Sequence, residues 1–154
     1  MQRKELTAQY CLNGHPNGFA NPTPPTTRQS FCKICGAASL PACPECQADF
    51  PFYMQIPPAP PFCHGCGKPL PWTVTALRAA EELTDLQENL SDEEKILLKK
   101  SIDDLVRDTP RTTVAAERFK ILAGKTGKAT LESLRSILVS VASETAKKIL
   151  FPIL

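Results

Sequence analysis

Four short motifs decide the fold, and they read Cys11-Leu12-Asn13-Gly14-His15, Cys32-Lys33-Ile34-Cys35, Cys43-Pro44-Glu45-Cys46 and Cys63-His64-Gly65-Cys66. The first and second motifs are separated by 16 residues, and so are the third and fourth. Together they supply seven cysteines and one histidine, which is the number of ligands that two tetrahedral zinc sites need. The equal intervals indicate one unit of sequence that is repeated in tandem.

Each pair of ligands can reach one ion because its spacing is short. Two thiolates with two residues between them converge from a tight turn, if the next residue tolerates an unusual backbone angle. Gly36 and Gly67 offer that freedom. The longer imidazole accommodates the third intervening residue of the first motif, where Asn13-Gly14 favours a turn. We therefore predict two zinc ions held by Cys11, His15, Cys32, Cys35, Cys43, Cys46, Cys63 and Cys66.

The sequence leaves two ways of pairing the motifs open. In the sequential order, the first and second motifs hold one ion and the last two hold the other, as in zinc ribbons. In the interleaved order, the first motif pairs with the third and the second with the fourth. The matched loops favour the sequential order, and Phe31 and Phe62 occupy equivalent places in the two units. His64 is predicted to be an exposed side chain within its motif rather than a ligand.

Both zinc sites are predicted to be structural. A ribbon of some 35 residues is too short to fold around an apolar core alone, and eight protein ligands leave no open position for a substrate. Proline segments at 22–25 and 57–61 fall at matching places between the motifs. We interpret them as stiff loops, with a role as an SH3-type ligand as the alternative.

The composition divides the chain near Trp72–Thr73. Residues 1–72 hold all seven Cys, both His and 13 of the 15 Pro, whereas residues 73–154 hold 13 basic and 13 acidic residues and no Cys. We predict a double zinc-ribbon domain over 1–72 and a helical domain over 73–154. An odd number of cysteines and the lack of a secretory signal indicate a reducing cytoplasm.

The second region has helical periodicity. Helices are predicted over about 74–89, from the capping box at Ser91 to Asp108-Thr109-Pro110, over about 113–123 and over about 129–150. The second apolar face includes Ile96, and the third includes Val114. The predicted fold is therefore α+β, with tandem zinc ribbons of short β-hairpins followed by a bundle of three to four helices.

The last predicted helix carries more apolar residues than one face needs. Ile137, Val139 and Leu150 widen its apolar surface, which predicts a homo-oligomer formed through the C-terminal helices. No transmembrane segment is predicted, because charged residues interrupt residues 137–154. The apolar tail 149–154 is expected to dock onto protein rather than onto a membrane surface.

A basic segment lies between residues 107 and 128 and has a net charge of +4. Its candidate contacts for an anion or a nucleic acid are Arg111, Arg118, Lys120, Lys125 and Lys128. The simpler interpretation is a solvated helix face that pairs with Glu81, Glu82 and Glu88. Two Zn²⁺ add four charges and seven thiolates remove seven, so the formal +2 of the chain becomes −1. Nucleic-acid binding by the ribbons is therefore disfavoured.

Several further stretches resemble a bacterial family of uncharacterised proteins with an N-terminal double zinc ribbon. They are Tyr10-Cys11-Leu12-Asn13-Gly14-His15, Phe62-Cys63-His64-Gly65-Cys66-Gly67, Pro71-Trp72-Thr73, Asp108-Thr109-Pro110-Arg111-Thr112, Ala116-Glu117-Arg118-Phe119-Lys120 and Ser143-Glu144-Thr145-Ala146-Lys147-Lys148. The resemblance implies zinc at the eight ligand positions and a bacterial origin, and it implies no activity.

These observations favour a non-enzymatic zinc-binding interaction protein. In this hypothesis, the ribbons recognise a protein partner and the helices mediate docking or self-association. Nucleic-acid or nucleotide binding through residues 107–128 is the alternative. An enzyme ranks last, because the sequence offers no catalytic set of Ser, His and Asp and no pair of carboxylates in a pocket.

Overall fold

The computed structural model describes residues 6–22, 24–52 and 54–152. The chain forms two compact units, Met1–Thr73 and Val74–Leu154. Strands lie in the first unit and helices dominate the second. The predicted α+β class is confirmed.

The first unit is built on a small antiparallel sheet. In the described residues its strands are β1 (Thr7–Cys11), β2 (Pro16–Pro22), β3 (Pro25–Thr27) and β4 (Ser39–Leu40), in the order β3-β2-β1-β4. β1 is buried along its whole length and pairs with β2, with Thr7 opposite Ala20. The turn between these two strands is the first metal-binding motif, so Cys11 is both the last residue of β1 and a candidate ligand.

The other three motifs are closed by single antiparallel bridges rather than by full strands. The bridges pair Phe31 with Ala38, Ala42 with Asp49 and Phe62 with Pro69. This recurrence fits the tandem repeat predicted from the spacing. Among the described residues, the first motif alone belongs to a hairpin with longer strands.

An aromatic cluster of Tyr10, Phe50 and Trp72 forms the core of the first unit. The ring centroids are 5.2 Å apart for Tyr10 and Phe50, 5.5 Å for Tyr10 and Trp72, and 5.8 Å for Phe50 and Trp72. Such aromatic pairs contribute about 0.5–1.5 kcal/mol each beyond the area that they bury. Because Tyr10 directly precedes Cys11, this core holds the first motif in place.

The proline loop at residues 57–61 is fastened to the aromatic cluster by its carbonyl groups. Tyr10 Oη donates a hydrogen bond to the carbonyl of Pro57 (2.8 Å), and Trp72 Nε1 donates to that of Pro60 (2.7 Å). Thr73 Oγ1 donates to the carbonyl of Pro61 (2.7 Å). These bonds support the interpretation of the segment as a stiff structural loop.

The helices in the described part of the chain are α1 (Pro71–Asp85), α2 (Asp92–Leu105), α3 (Thr112–Gly124), α4 (Lys128–Leu138) and α5 (Glu144–Leu150). The capping box predicted at Ser91 is confirmed, because its hydroxyl accepts from the amide of Glu94 while Glu94 Oε2 accepts from the amide of Ser91. The core of the second unit includes Leu98, Ile102, Leu105, Phe119, Leu134 and Leu138, which are fully buried.

The last predicted helix is divided into α4 and α5, so the described residues contain five helices rather than three to four. Ser143 causes the break. Its amide donates to the carbonyl of Leu105 at the end of α2 (2.9 Å), and its hydroxyl accepts from the amide of Ala146 and caps α5 (3.2 Å). A single helix over 129–150 would lose both bonds.

Several apolar residues lie elsewhere than the periodicity predicts. Ile96 and Val114 are 66% and 51% exposed, although each was assigned to an apolar face that packs in the core. Leu150 is buried within the unit, so it is not available to widen an outer surface. Ile137 and Val139 are half-buried. Of the apolar tail, Ile153 and Leu154 lie outside the described residues.

None of the helices in the described ranges combines the length and the apolar character that a membrane span requires.

Candidate metal centres

The first candidate metal centre joins the first and second motifs. The donor atoms of Cys11, His15, Cys32 and Cys35 all lie within 4.8 Å of one another. Cys11 Sγ is 3.5 Å from Nδ1 of His15 and 3.7 Å from Sγ of Cys35. Cys32 Sγ is 3.8 Å from the same Nδ1. His15 therefore presents Nδ1 to the centre.

The second candidate centre joins the third and fourth motifs. The four sulfur atoms of Cys43, Cys46, Cys63 and Cys66 also lie within 4.8 Å of one another. Cys43 Sγ is 3.9 Å from that of Cys66, and Cys46 Sγ is 3.6 Å from that of Cys63. The motifs are thus grouped in the sequential order, which the matched loops favoured over the interleaved one.

The spacing of these donor atoms fits a tetrahedral ion. A zinc ion with S and N ligands at about 2.3 and 2.0–2.1 Å has tetrahedral edges of about 3.5–3.8 Å. The separations of 3.5–3.9 Å match those edges. They are far longer than the S–S bond of a disulfide, about 2.05 Å, and all seven cysteines are free. Each cluster could therefore hold one metal ion.

The three Cys-x2-Cys motifs share one backbone turn. In each, the amide of the residue after the second cysteine donates to the carbonyl of the first, at 2.8–2.9 Å. That residue has a positive φ of 73° at Gly36, 62° at Gln47 and 72° at Gly67. The sequence predicted this conformation for the two glycines. It did not reveal Gln47, where a side chain occupies the left-handed region at a cost of about 1–2 kcal/mol.

Amide groups donate hydrogen bonds to several of the sulfur atoms. The amides of Ile34 and Gly65 lie 3.4 and 3.3 Å from the Sγ atoms of Cys32 and Cys63, and Nδ2 of Asn13 lies 3.3 Å from that of Cys35. These donors stabilise a thiolate more than a thiol. They are typical of cysteines that bind metal.

The hydrogen bonds lower the pKa of one thiol in each centre. The amide of Ala37, followed by the side chain of Asn13, lowers the pKa of Cys35 to about 6. Burial raises the pKa of Cys63, but hydrogen bonds from the amides of Cys66 and Gly65 and from the thiols of Cys46 and Cys43 together lower it to about 6. One thiolate per centre is therefore available near neutral pH to begin binding an ion.

In each centre the pKa of one other thiol is raised, at Cys11 and at Cys46. Burial raises the pKa of Cys11. At Cys46 the amide of Ala48 lowers the pKa, yet burial and the neighbouring thiols raise it to about 12. A bound divalent ion supplies the positive charge that lets adjacent thiolates coexist, so metal binding should release protons.

Gln9 holds the two halves of the first centre together and was missed by sequence reasoning. Its buried side chain donates from Nε2 to the carbonyls of Asn17 (2.9 Å) and Gln29 (3.0 Å), and its Oε1 accepts from the amide of Arg28 (3.1 Å). The chain that leads into the second motif is thereby fixed to β1, which carries Cys11. A polar residue inside a strand gives no sequence signal for such a role.

Gly14 has a second function beyond its turn. It has a φ of +81°, and a Cβ at this position would lie 2.9 Å from Cγ of Trp72. The first motif can therefore pack against the aromatic cluster only when residue 14 has no side chain. His64, in contrast, is exposed as predicted, and its Nε2 donates to the carbonyl of Asp49 (2.9 Å).

Comparison with protein families supports the resemblance described above. Residues 4–150 match the family described as "Uncharacterized protein conserved in bacteria (DUF2321)". The chain belongs to this family. The match extends over both units of the DUF2321 chain, so the predicted resemblance is confirmed. No curated protein and no solved structure matches the chain.

Three of the five candidate residues in the basic segment of this DUF2321 chain pair with carboxylates. Arg111 lies 3.2 Å from Asp104, Lys120 lies 3.1 Å from Glu117, and Lys125 pairs with Glu94. These acidic partners belong to α2 and α3, whereas the sequence suggested Glu81, Glu82 and Glu88. Arg118 and Lys128 are exposed and form no salt bridge within the described residues.

Proposed function

We propose that the protein is a non-enzymatic zinc-binding interaction protein of the bacterial cytoplasm. Its ribbons recognise a protein partner, and its helices mediate docking or self-association. The observation that carries the proposal is the presence of two four-donor clusters, in each of which the donor atoms lie within 4.8 Å of one another.

The chemistry of the donors supports zinc as the metal. One cluster offers three thiols and an imidazole, and the other offers four thiols. Soft thiolate ligands in a tetrahedron favour zinc or an iron–sulfur cluster, while oxygen-preferring ions such as Mg²⁺ and Ca²⁺ are disfavoured. Donor separations near 3.7 Å suit a single small ion.

The saturation of both centres supports a structural rather than a catalytic role. A catalytic zinc site keeps one position open for water or substrate. Here four protein donors converge on each centre. The ions would hold each pair of motifs together, which a segment of this length needs in order to fold.

The surface around the first centre supports recognition by the ribbons. Phe31, directly before the second motif, is 66% exposed, and Ile34 within that motif is 65% exposed. Leu12 of the first motif is 39% exposed. The amide of Leu12 donates to the carbonyl of Ala38, which pairs with Phe31 across the bridge. Leu12 and Phe31 are therefore close, and an exposed apolar surface of this kind is typical of an interaction site.

Metal analysis of the purified chain tests the zinc half of the proposal. We expect two zinc ions per chain and about one in Cys35→Ser, because the loss of one ligand should disable the first centre alone. His64→Ala is the matched control, since its imidazole lies in a motif without being a ligand, and it should retain both ions. Two ions in Cys35→Ser would contradict the ligand assignment.

Affinity purification tests the interaction half. We expect protein partners to be recovered with the native chain and lost with the double variant Phe31→Ser/Ile34→Ser, while the zinc content stays unchanged. Light scattering of the same samples reports self-association. A strict monomer that retains no partner would contradict the proposal.

A further inference from the structure

One side of the α2–α3 pair carries exposed apolar residues. Leu97 on α2 and Val114 and Ile121 on α3 are 43%, 51% and 63% exposed. Val114 and Ile121 lie seven residues apart, which places them on one face of α3 at a distance of about 10 Å along its axis. Arg118 is one turn from each of them. We call the four residues Leu97, Val114, Arg118 and Ile121 the α2–α3 patch.

Two salt bridges between α2 and the ends of α3 place Leu97 on the same surface as the three α3 residues of the patch. They join Asp104 to Arg111 and Glu94 to Lys125. On α2, Leu97 lies one turn after Glu94 and two turns before Asp104, so it shares their side. On α3, Val114 lies one turn after Arg111, and Ile121 lies one turn before Lys125. The patch is therefore bounded at each end by a salt bridge.

Arg118 is the unsatisfied charge at the centre of this surface. Its guanidinium is exposed and forms no salt bridge within residues 6–22, 24–52 and 54–152. The neighbouring cations Arg111, Lys120 and Lys125 are neutralised by carboxylates. An arginine between apolar side chains favours a carboxylate that arrives with its own apolar neighbours.

We propose that the α2–α3 patch binds an acidic amphipathic helix of another protein. The spacing of Val114 and Ile121 matches apolar residues at i and i+7 of a helix that lies along α3. A carboxylate between those residues would meet Arg118. The inference deepens the docking role of the helices and rests on the proposed function in that respect.

The charges disfavour a second copy of the chain as the occupant. The midpoint between Val114 and Ile121 falls between Glu117 and Arg118, so two antiparallel α3 helices would meet about a two-fold axis there. The two-fold axis would place each edge of α3 beside the same edge of α3 in the other chain. Arg118 would therefore lie opposite Arg118 of the other chain. Like charges at an interface oppose binding, whereas an acidic partner removes the conflict.

Nucleic acid fits the patch less well than an acidic helix. Phosphate contacts need several free cations along a surface. Three of the five candidate residues of the basic segment already pair with carboxylates. The apolar residues on both sides of Arg118 would gain nothing from a phosphate backbone.

Peptide display on the full-length, zinc-loaded chain tests the proposal. Random peptides of about 16 residues, long enough for four helical turns, are selected and then measured individually by fluorescence anisotropy. We expect the enriched peptides to combine Asp or Glu with apolar residues at i, i+4 and i+7. Ile121→Ser should weaken their binding about 10- to 100-fold, as expected for loss of one buried apolar contact. Arg118→Glu should weaken it at least as much.

Two matched variants control for general effects on the helices. Leu86→Ser removes an apolar side chain that is 74% exposed outside the patch. Lys148→Glu reverses an exposed charge on α5, outside the two helices of the patch. Neither should change the affinity of the selected peptides by more than about twofold, which is within the effect of ordinary surface substitutions. Circular dichroism of all four variants verifies that the helices are intact.

The remaining outcomes overturn the proposal in distinguishable ways. Enriched peptides without acidic residues, an absence of enriched peptides, or binding that survives both patch variants would refute an acidic helix. A dimer in light scattering that Ile121→Ser dissociates would identify a second copy instead. Binding of duplex DNA that Arg118→Glu abolishes and Ile121→Ser leaves intact would identify nucleic acid. The purified chain could also bind the peptides although metal analysis finds no zinc in it. That result would sustain this inference and refute the zinc-binding part of the proposed function.

Discussion

The two units of the chain differ in the interactions that should stabilise them. In the described residues of the first, a four-stranded sheet with a two-residue edge strand is joined by four isolated bridges and by the aromatic cluster of Tyr10, Phe50 and Trp72. The described part of the second contains five helices with fully buried leucine, isoleucine and phenylalanine side chains. Backbone hydrogen bonds alone cannot hold the first unit, so its stability should depend on ligands from distant parts of the chain. The second should depend on packing.

Removal of the metal should produce the largest difference in stability between the two units. We expect a high-affinity chelator to unfold the metal-binding motifs while most of the helical circular dichroism remains. Structural zinc contributes an apparent ~10–16 kcal/mol in isolated zinc-finger peptides, which exceeds what one small aromatic cluster can replace. Readdition of zinc should restore the native amide spectrum of the first unit. Helices that melt together with the motifs would contradict the division.

The converse experiment perturbs the core of the second unit. Phe119→Ala should destabilise the helices by about 3–5 kcal/mol, because this fully buried ring would leave a cavity. Zinc content should stay at its native value, since all eight candidate ligands lie in the first unit. Thermal unfolding followed by circular dichroism measures the first effect, and metal analysis measures the second. A parallel loss of zinc would show that the two units fold as one.

A smaller effect should come from Gly14. Gly14→Ala combines a strained positive φ with a Cβ too close to Trp72, and we expect a loss of about 2–4 kcal/mol in the first unit. Gly18→Ala is the control, because φ is +89° there but no atom lies within 4 Å of the added Cβ. It should cost only about 1–2 kcal/mol. Equal losses would show that contact with the aromatic cluster contributes nothing.

The smallest effect should be a gain in stability when Gln47 is replaced. Gln47→Gly would relieve the positive φ of the third motif, offset in part by the greater freedom of glycine in the unfolded chain. We expect the second centre to gain about 0.5–1 kcal/mol, visible as slower zinc release to a chelator. Gly67→Ala, at the equivalent position of the fourth motif, should shift the release rate in the opposite direction.

Local features of the fold could be read from the sequence because their causes are local. The spacing of Cys43, Cys46, Cys63 and Cys66 fixes which turns can converge, and Ser91 and Glu94 cap α2 through groups three residues apart. Other features depend on residues far along the chain. The approach of Gly14 to Trp72 spans almost sixty positions, and the break before α5 requires the carbonyl of Leu105.

Periodicity also gave the wrong side for some apolar residues. Ile96 and Val114 lie in helical patterns that continue into the core, yet both are exposed. Hydrophobic spacing identifies a helix that has a buried face, but it does not determine how wide that face is. The width depends on which neighbours pack there, and those neighbours are known only once the helices are assembled.

The proline loop at residues 57–61 should limit aggregation of a ribbon that has lost its metal ion. Four of its five residues have no amide hydrogen, and Ala59 supplies the single N–H. Such a segment accepts hydrogen bonds, as it does from Tyr10 and Trp72, but it cannot extend a ladder of paired strands. A metal-free chain could thus expose this segment without offering other chains a template for aggregation.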